Sequence, residues 1–158
     1  IKHLMISTVN GSFQSFDAEL HSEGDDFTDA KVSFEADVAS ISTNIVDRDN
    51  HLKSPDFFDA ENFPKLSFNS TKVEKISESD YKIYGDLEIK GISKPITLDV
   101  EYNGQDEDAY GQTKAGFDMI GKINRKDWGL DFNMSGGKGS FIVGDEVRLS
   151  ITIQMIKL

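Results

Sequence analysis

The stretch YKIYGDLEIKGISKPITLDV, residues 81–100, decides the fold of this chain. Apolar and polar side chains alternate at every residue over 81–89 and again over 96–100. Side chains of a β-strand switch faces at each residue, so this pattern predicts two half-buried strands with one apolar face each. We interpret residues 90–95 as the hairpin loop between them, because glycine and proline punctuate that segment.

Alternation of this kind recurs along the whole chain. It is present at residues 32–38, 115–123 and 147–155, in shorter form at 16–20 and 66–73, and residues 1–9 resemble the end of a further strand. About eight antiparallel strands with one apolar face each predict an all-β domain closed into a barrel or a two-sheet sandwich. The glycine-rich run Ser135–Gly139 predicts a loop.

Small residues stand among large ones on the predicted apolar faces. They are Ala36, Gly85, Ala115 and Gly121. Such residues either relieve crowding in a packed interior or leave a cavity, and the pattern alone leaves both alternatives open.

One segment interrupts the strands, namely DRDNHLKSPDFFDAENFP at residues 47–64. Ser54 is a suitable N-cap and Pro55 suits the first helical position, so we predict one or two helical turns over Ser54–Ala60. Phe57, Phe58 and Phe63 make this insert, near residues 47–63, unusually aromatic. A connection of this length in an all-β domain often acts as a lid or plug.

Composition excludes several classes of function. The 158 residues fit one domain, and 28 Asp+Glu against 17 Lys+Arg give a net charge of −11. This acidic balance argues against nucleic acid and anionic membrane surfaces as partners. The absence of cysteine excludes disulfides, thiol catalysis and thiolate metal sites. No run approaches the ~18 apolar residues of a membrane span.

The sequence predicts neither a catalytic residue nor a metal site. No Ser-His-Asp spacing singles out a nucleophile around the three histidines, which are His3, His21 and His51. Asp47, Asp49 and His51 alternate like metal ligands, but an EF-hand loop needs Gly at its sixth position and Glu at its twelfth. Those positions hold Leu52 and Phe58, so a solvated acidic run is the better interpretation.

The segment Arg125-Lys126-Asp127-Trp128-Gly129 has two interpretations. In the structural one, an Arg–Asp pair fixes a turn and Trp128 stacks at a barrel mouth. In the functional one, Arg125 meets the polar head of a ligand while Trp128 touches its apolar tail. Because ion pairs alone are weak evidence of function, we favour the structural interpretation.

Several ordered motifs together carry a family resemblance. They are the opening segment His3–Phe13, Ser40–Thr43 followed by Arg48–Asp59 ("S-x-x-T … R-D-x-H-L-x-S-x-x-F-F"), Phe63–Phe68 ("P-x-I-x-F"), Gly85–Ile96 ("G-x-L-x-x-x-G-x-x-x-P") and Arg125–Gly129 ("R-x-D-[FW]-G"). With these motifs, nearly the whole chain resembles the YceI-like family of lipocalin-like, polyisoprenoid-binding proteins.

The resemblance implies a single domain over residues 1–158, an eight-stranded antiparallel lipocalin-like barrel around a long apolar tunnel. Family members bind polyprenyl chains or quinone-like amphiphiles, and are often linked to stress response or transport. No catalytic residues come with the family. Its members commonly have further residues before the His-Leu motif that complete the first strand. We expect the native protein to have them too, because a truncated strand would leave an unpaired sheet edge.

We therefore expect a non-enzymatic protein that binds, carries or stores a long-chain isoprenoid or quinone-like amphiphile. The expected lining residues are Phe34, Ala36, Ile83, Gly85, Leu87, Ile89, Leu98, Phe117, Met119, Val147, Leu149 and Ile151, with Phe57, Phe58 and Trp128 at the mouth or lid and Arg48, His51 and Arg125 as head-group candidates. Two alternatives stay open: an enzyme acting on a hydrophobic substrate inside the barrel, and an interaction module with a filled core.

Further expectations concern cofactors, partners and location. No cofactor is required, although the bound molecule itself could be a polyisoprenoid or an isoprenoid quinone. The expected partner is a hydrophobic small molecule, with no nucleic acid and no stable membrane insertion, and a homodimer is compatible with the sequence. We expect a cytoplasmic location, or a periplasmic or secreted one if a leader has been removed.

Overall fold

Antiparallel strands make up most of the structure. The computed structural model describes residues 1–24, 26–134 and 142–157. The strands are β1 (Lys2–His3), β2 (Ser7–Thr8), β3 (Ser12–Phe13), β4 (Phe16–His21), β5 (Lys31–Asp37), β6 (Ile41–Ser42), β7 (Lys65–Lys75), β8 (Asp80–Ile89), β9 (Ile92–Glu107), β10 (Thr113–Asn124) and β11 (Glu146–Ile156). One α-helix, α1 (Val46–Lys53), and two short 3-10 helices, Val38–Ser40 and Arg125–Trp128, complete the described elements.

Seven of these strands form one curled antiparallel sheet in the order β11-β10-β9-β8-β7-β5-β4. The sheet closes partway round, as a half-barrel, and the predicted all-β, lipocalin-like class is confirmed. Within the described residues the main sheet has seven strands, one fewer than the eight predicted. The strand predicted at residues 1–9 is wrong in detail. Leu4 and Met5 adopt left-handed φ angles of 51° and 59°, which fold the segment back so that β1 pairs with β2 instead of with the main sheet.

The hairpin predicted at residues 90–95 is tighter than expected. Lys90 and Gly91 alone make the turn, both with positive φ (51° and 70°), and β9 begins at Ile92. Two-residue turns with positive φ at both positions match the twist of the flanking strands. Pro95 is tolerated inside β9 because the ladder with β10 starts further along, at Asp99.

The predicted helix over Ser54–Ala60 is also wrong. The helix lies before it, over Val46–Lys53, and Ser54 is its C-cap, with the Ser54 hydroxyl donating to the carbonyl of His51 (2.7 Å). A residue that precedes proline is disfavoured in the helical conformation, so the chain becomes extended at Ser54 (ψ 168°). The loop predicted at Ser135–Gly139 lies outside the described residues.

Two of the small residues on the apolar faces relieve crowding. A Cβ placed on Gly85 would overlap the Phe68 ring and lie 2.5 Å from the carbonyl oxygen of Asn69. A Cβ on Gly121 would lie 2.6 Å from a methyl carbon of Leu98. The centre of the sheet is therefore packed, as interiors normally are.

The close contact at Gly85 is tested by Gly85→Ala. We expect the free energy of unfolding to fall by about 2 kcal/mol, because overpacking against a ring and a backbone oxygen forces the strands to shift. Gly116→Ala is the matched control, since its Cβ would lie 3.6 Å from Asn103, an ordinary contact. Urea unfolding of both variants measures the difference, and equal stability would contradict the packing of Phe68 on Gly85.

Candidate functional site

The strand register brings the apolar faces of the main sheet onto one concave surface. Met119 of β10 lies directly opposite Val100 of β9 on one side and Ile151 of β11 on the other. Ile83 of β8 likewise faces Leu98 of β9. Directly opposed residues of antiparallel strands share a face, so these side chains form a continuous apolar lining.

Burial along this concave surface falls from the central strands to the outer ones. The floor is buried and includes Ile83, Leu87, Ile89, Leu98 and Phe117. The wall is only half-buried and includes Phe34, Met119, Val147, Leu149 and Ile151. We call floor and wall together the apolar trough. Ten of the expected lining residues thus lie on it, while Ala36 is packed away at 1% exposure and Gly85 is covered by Phe68.

Polar side chains take the opposite, convex face. Asp118 of β10 accepts hydrogen bonds from Thr152 (2.6 Å) and Asn103 (2.8 Å) across the neighbouring strands. These two donors lower the pKa of the Asp118 carboxyl, because they stabilise its charged form. Lys82 and Asp99 form a similar cross-strand ion pair. The two faces of the sheet therefore differ sharply in polarity.

The far end of the trough, where β8 begins, is closed by aromatic rings. Phe27, from the connection between β4 and β5, lies edge-on to Tyr102 (5.2 Å between ring centroids), Phe117 (5.6 Å) and Tyr81 (6.3 Å). Sequence reasoning missed Phe27. The signal available was a lone aromatic residue inside an acidic turn, which a surface loop would not require.

Arg125 organises the near end, where β8 finishes. Its side chain is 2% exposed, and all three nitrogens are engaged: Nε donates to the carbonyl of Gly144 (2.8 Å), Nη1 to those of Leu130 and Phe132, and Nη2 lies 3.6 Å from Asp145. The ion-pair partner of Arg125 is thus Asp145. The sequence predicts an Arg–Asp pair within residues 125–127, but Arg125 instead donates mainly to backbone carbonyls. With its donors used inside the protein, Arg125 is not placed to meet a head group.

Trp128 is buried beneath the near end. It is 2% exposed, and its indole N–H donates to the carbonyl of Leu87 at 2.9 Å. A buried indole needs such a partner. Here the bond joins the 3-10 helix to the end of strand β8, which forms part of the trough floor. Trp128 therefore belongs to the packed end of the barrel and not to an open mouth.

The other head-group candidates lie in a structure that covers the near end, which we call the cap: α1, residues 54–64 and residues 125–133. Arg48 donates to the hydroxyl (2.7 Å) and carbonyl (3.0 Å) of Thr43. Asp49 accepts from the N–H of Thr43 (2.8 Å) and from its hydroxyl, and the hydroxyl bond is the main cause of a lowered Asp49 pKa. Both side chains therefore bind α1 to Thr43, in the segment that precedes the helix.

His51 joins the two halves of the cap. Its ring stands edge-on to Phe57 (5.0 Å) and to Phe132 (4.7 Å), and its Nε2 lies 2.8 Å from Asp56. Its side chain keeps 43% exposure, so of the three head-group candidates His51 is the most accessible. Phe57 is buried in this cluster, and Phe58 packs edge-on against Phe13 at 6.0 Å.

Within residues 1–24, 26–134 and 142–157, no three His, Cys, Asp or Glu side chains come together as a metal site would require. No helix in these ranges has the length and apolar character needed to cross a membrane.

The structural role of Arg125 is tested by Arg125→Met. We expect a loss of about 3 kcal/mol in the free energy of unfolding, because several buried carbonyls would lose a charged donor. Arg148→Met is the matched control, since Arg148 is exposed and forms a surface ion pair with neighbouring Glu146. Its loss should stay within about 0.5 kcal/mol. Chemical denaturation measures both, and a neutral Arg125→Met would contradict this role.

Comparisons with known proteins agree with the geometry. The YceI-like domain model matches residues 1–155. UPF0312 protein SAS2572 of Staphylococcus aureus strain MSSA476 is 38% identical over 155 residues, covering 98% of this chain and 88% of that protein. UPF0312 protein SA2479 of S. aureus strain N315 is 37% identical over the same coverage.

Solved structures show the same fold. A crystal structure of the YceI protein of Campylobacter jejuni superposes with a TM-score of 0.83 at 32% identity, covering 100% of this chain and 90% of that one. BcnA of Burkholderia cenocepacia, at 22% identity and a TM-score of 0.81, covers 96% of this chain and 90% of its own and shares the fold. The chain belongs to the YceI-like family.

Proposed function

We propose that this protein binds a long apolar ligand along the trough, namely an isoprenoid chain or a quinone-like amphiphile, without catalysing a reaction. The observation that carries the proposal is the half-buried wall. Met119, Leu149 and Ile151 share a face with buried residues of the central strands, yet are themselves only half-buried. An apolar surface of this shape is typical of a ligand site.

The dimensions of the trough suit a chain. The six steps from Tyr81 at the far end to Leu87 at the near end correspond to about 20 Å at the usual rise of a strand. That length accommodates several isoprene units in extended form. The polyisoprenoid binding that the family resemblance implies favours an isoprenoid over other apolar chains.

The driving force would be the transfer of apolar surface out of water, about 25 cal/mol per Å² before the costs of association. A flexible chain loses conformational freedom on binding, which costs free energy. A trough that contacts the chain along its whole length removes more apolar surface from water than a shallow patch, so it offsets more of that cost. His51, as the accessible candidate of the cap, is the residue we assign to a polar head group at the near end.

The filled-core alternative has one observation in its favour. Phe68 on Gly85 and Leu98 on Gly121 fill the centre of the sheet. These contacts lie within the buried floor, however, while the wall residues stay half-buried. A binding experiment separates the two functions, because a filled interior takes up no ligand.

The wall is tested by Met119→Gln. Burying an unpaired amide against an apolar chain costs about 1–3 kcal/mol, so we expect affinity for geranylgeraniol and decylubiquinone to fall by about tenfold. Ile120→Gln is the matched control: Ile120 is the next residue of β10, points to the convex face and is 60% exposed. Equilibrium dialysis measures affinity, and thermal unfolding checks that both variants fold.

Organic extraction of the purified protein provides an independent test. We expect mass spectrometry of the extract to detect an isoprenoid lipid in stoichiometric amount, or the emptied protein to take up added polyprenols or quinones. If the extract contains no such lipid and the unsubstituted protein takes up no added polyprenol or quinone, the binding function is refuted and the filled core is favoured.

A further inference from the structure

We infer that Phe27 sets the length of the chain that the trough accepts. The inference rests on the proposed function and adds a specificity-determining residue to it. It concerns the far end, where Phe27, from the connection between β4 and β5, packs against three aromatic rings.

The position of the Phe27 ring supports its role as a stopper, that is, as the side chain that blocks the far end of the trough. Phe27 packs edge-on against Tyr81, Tyr102 and Phe117 at centroid distances of 5.2–6.3 Å. Phe117 belongs to the buried floor, and Tyr81 is the residue of β8 from which the trough begins. A chain lying along the floor therefore meets the Phe27 ring when it reaches these residues.

The backbone supports the same conclusion. Phe27 has a φ of 57°, in the left-handed region that bulky side chains rarely adopt. Such a conformation persists only where the surroundings determine it. Here the Asp26 carboxylate accepts from the N–H (3.1 Å) and hydroxyl (2.7 Å) of Thr28, and the N–H of Ala30 donates to the carbonyl of Phe27 (3.1 Å). The turn thus holds the ring over the trough.

The two ends of the trough differ in how they are closed. At the near end, Arg125, Trp128 and the His51 cluster join several segments through buried hydrogen bonds and ring contacts. At the far end, the ring of Phe27 makes the closing contacts. Shortening this one side chain would therefore extend the trough at its far end and leave the rest of the lining unchanged.

The experiment compares Phe27→Ala with the unsubstituted protein, using farnesol, geranylgeraniol and solanesol as probes of increasing length. We expect the ratio of affinities to shift towards the longer probes by at least about tenfold, since small changes in the size of an apolar pocket discriminate to that extent. Tyr110→Ala is the control: it truncates an aromatic ring that is 91% exposed in the connection between β9 and β10, so it should leave the ratio unchanged.

A second variant guards against loss of folding. Phe27→Leu keeps an apolar side chain and should shift the ratio in the same direction by a smaller factor. If the unsubstituted protein binds the probes and both Phe27 variants keep its length profile, the stopper is refuted while the binding function stands. If the unsubstituted protein binds no probe of any length, the binding function fails and the stopper fails with it.

Discussion

The near end of the barrel depends on the hydrogen bonds that the buried guanidinium of Arg125 donates to backbone carbonyls. This guanidinium ties the carbonyls of Leu130, Phe132 and Gly144 to the end of β10. Placing a charge in this position is costly unless its donors are satisfied, and the backbone carbonyls satisfy them. Because Phe132 packs edge-on against His51, the same arginine indirectly fixes the half of the cap that contains α1. Two sequence-distant motifs of the family thereby form one structural unit.

This unit explains why charged motif residues need not contact a ligand. Arg48 holds Thr43, and Arg125 holds carbonyl groups of the segment that follows it. Their planar, multidentate donors suit backbone acceptors as well as they suit a carboxylate or phosphate. The trough then needs few polar groups of its own, because the charged residues at its near end form their hydrogen bonds with other parts of the protein.

The sequence predicted the strands well and the ends of the barrel poorly, for physical reasons. Alternation over Tyr81–Ile89 is a local property of the chain, and it indicated the strand and its buried face directly. The helix was misplaced because Ser54-Pro55 is a favourable start in isolation, while the bonds between Thr43 and Asp49 set the helix earlier. The partners of Arg125 and the ring contacts of Phe27 join residues far apart in sequence, so no local pattern revealed them.

The charge distribution bears on what covers the half-buried wall. The net charge of −11 makes two copies of this chain repel each other, and polar cross-strand pairs such as Lys82–Asp99 and Asp118–Thr152 occupy the convex face. Self-association through the wall would have to overcome that repulsion, whereas an uncharged apolar chain would not. The acidic excess therefore favours a small apolar molecule over a second copy of the protein as the occupant of the trough.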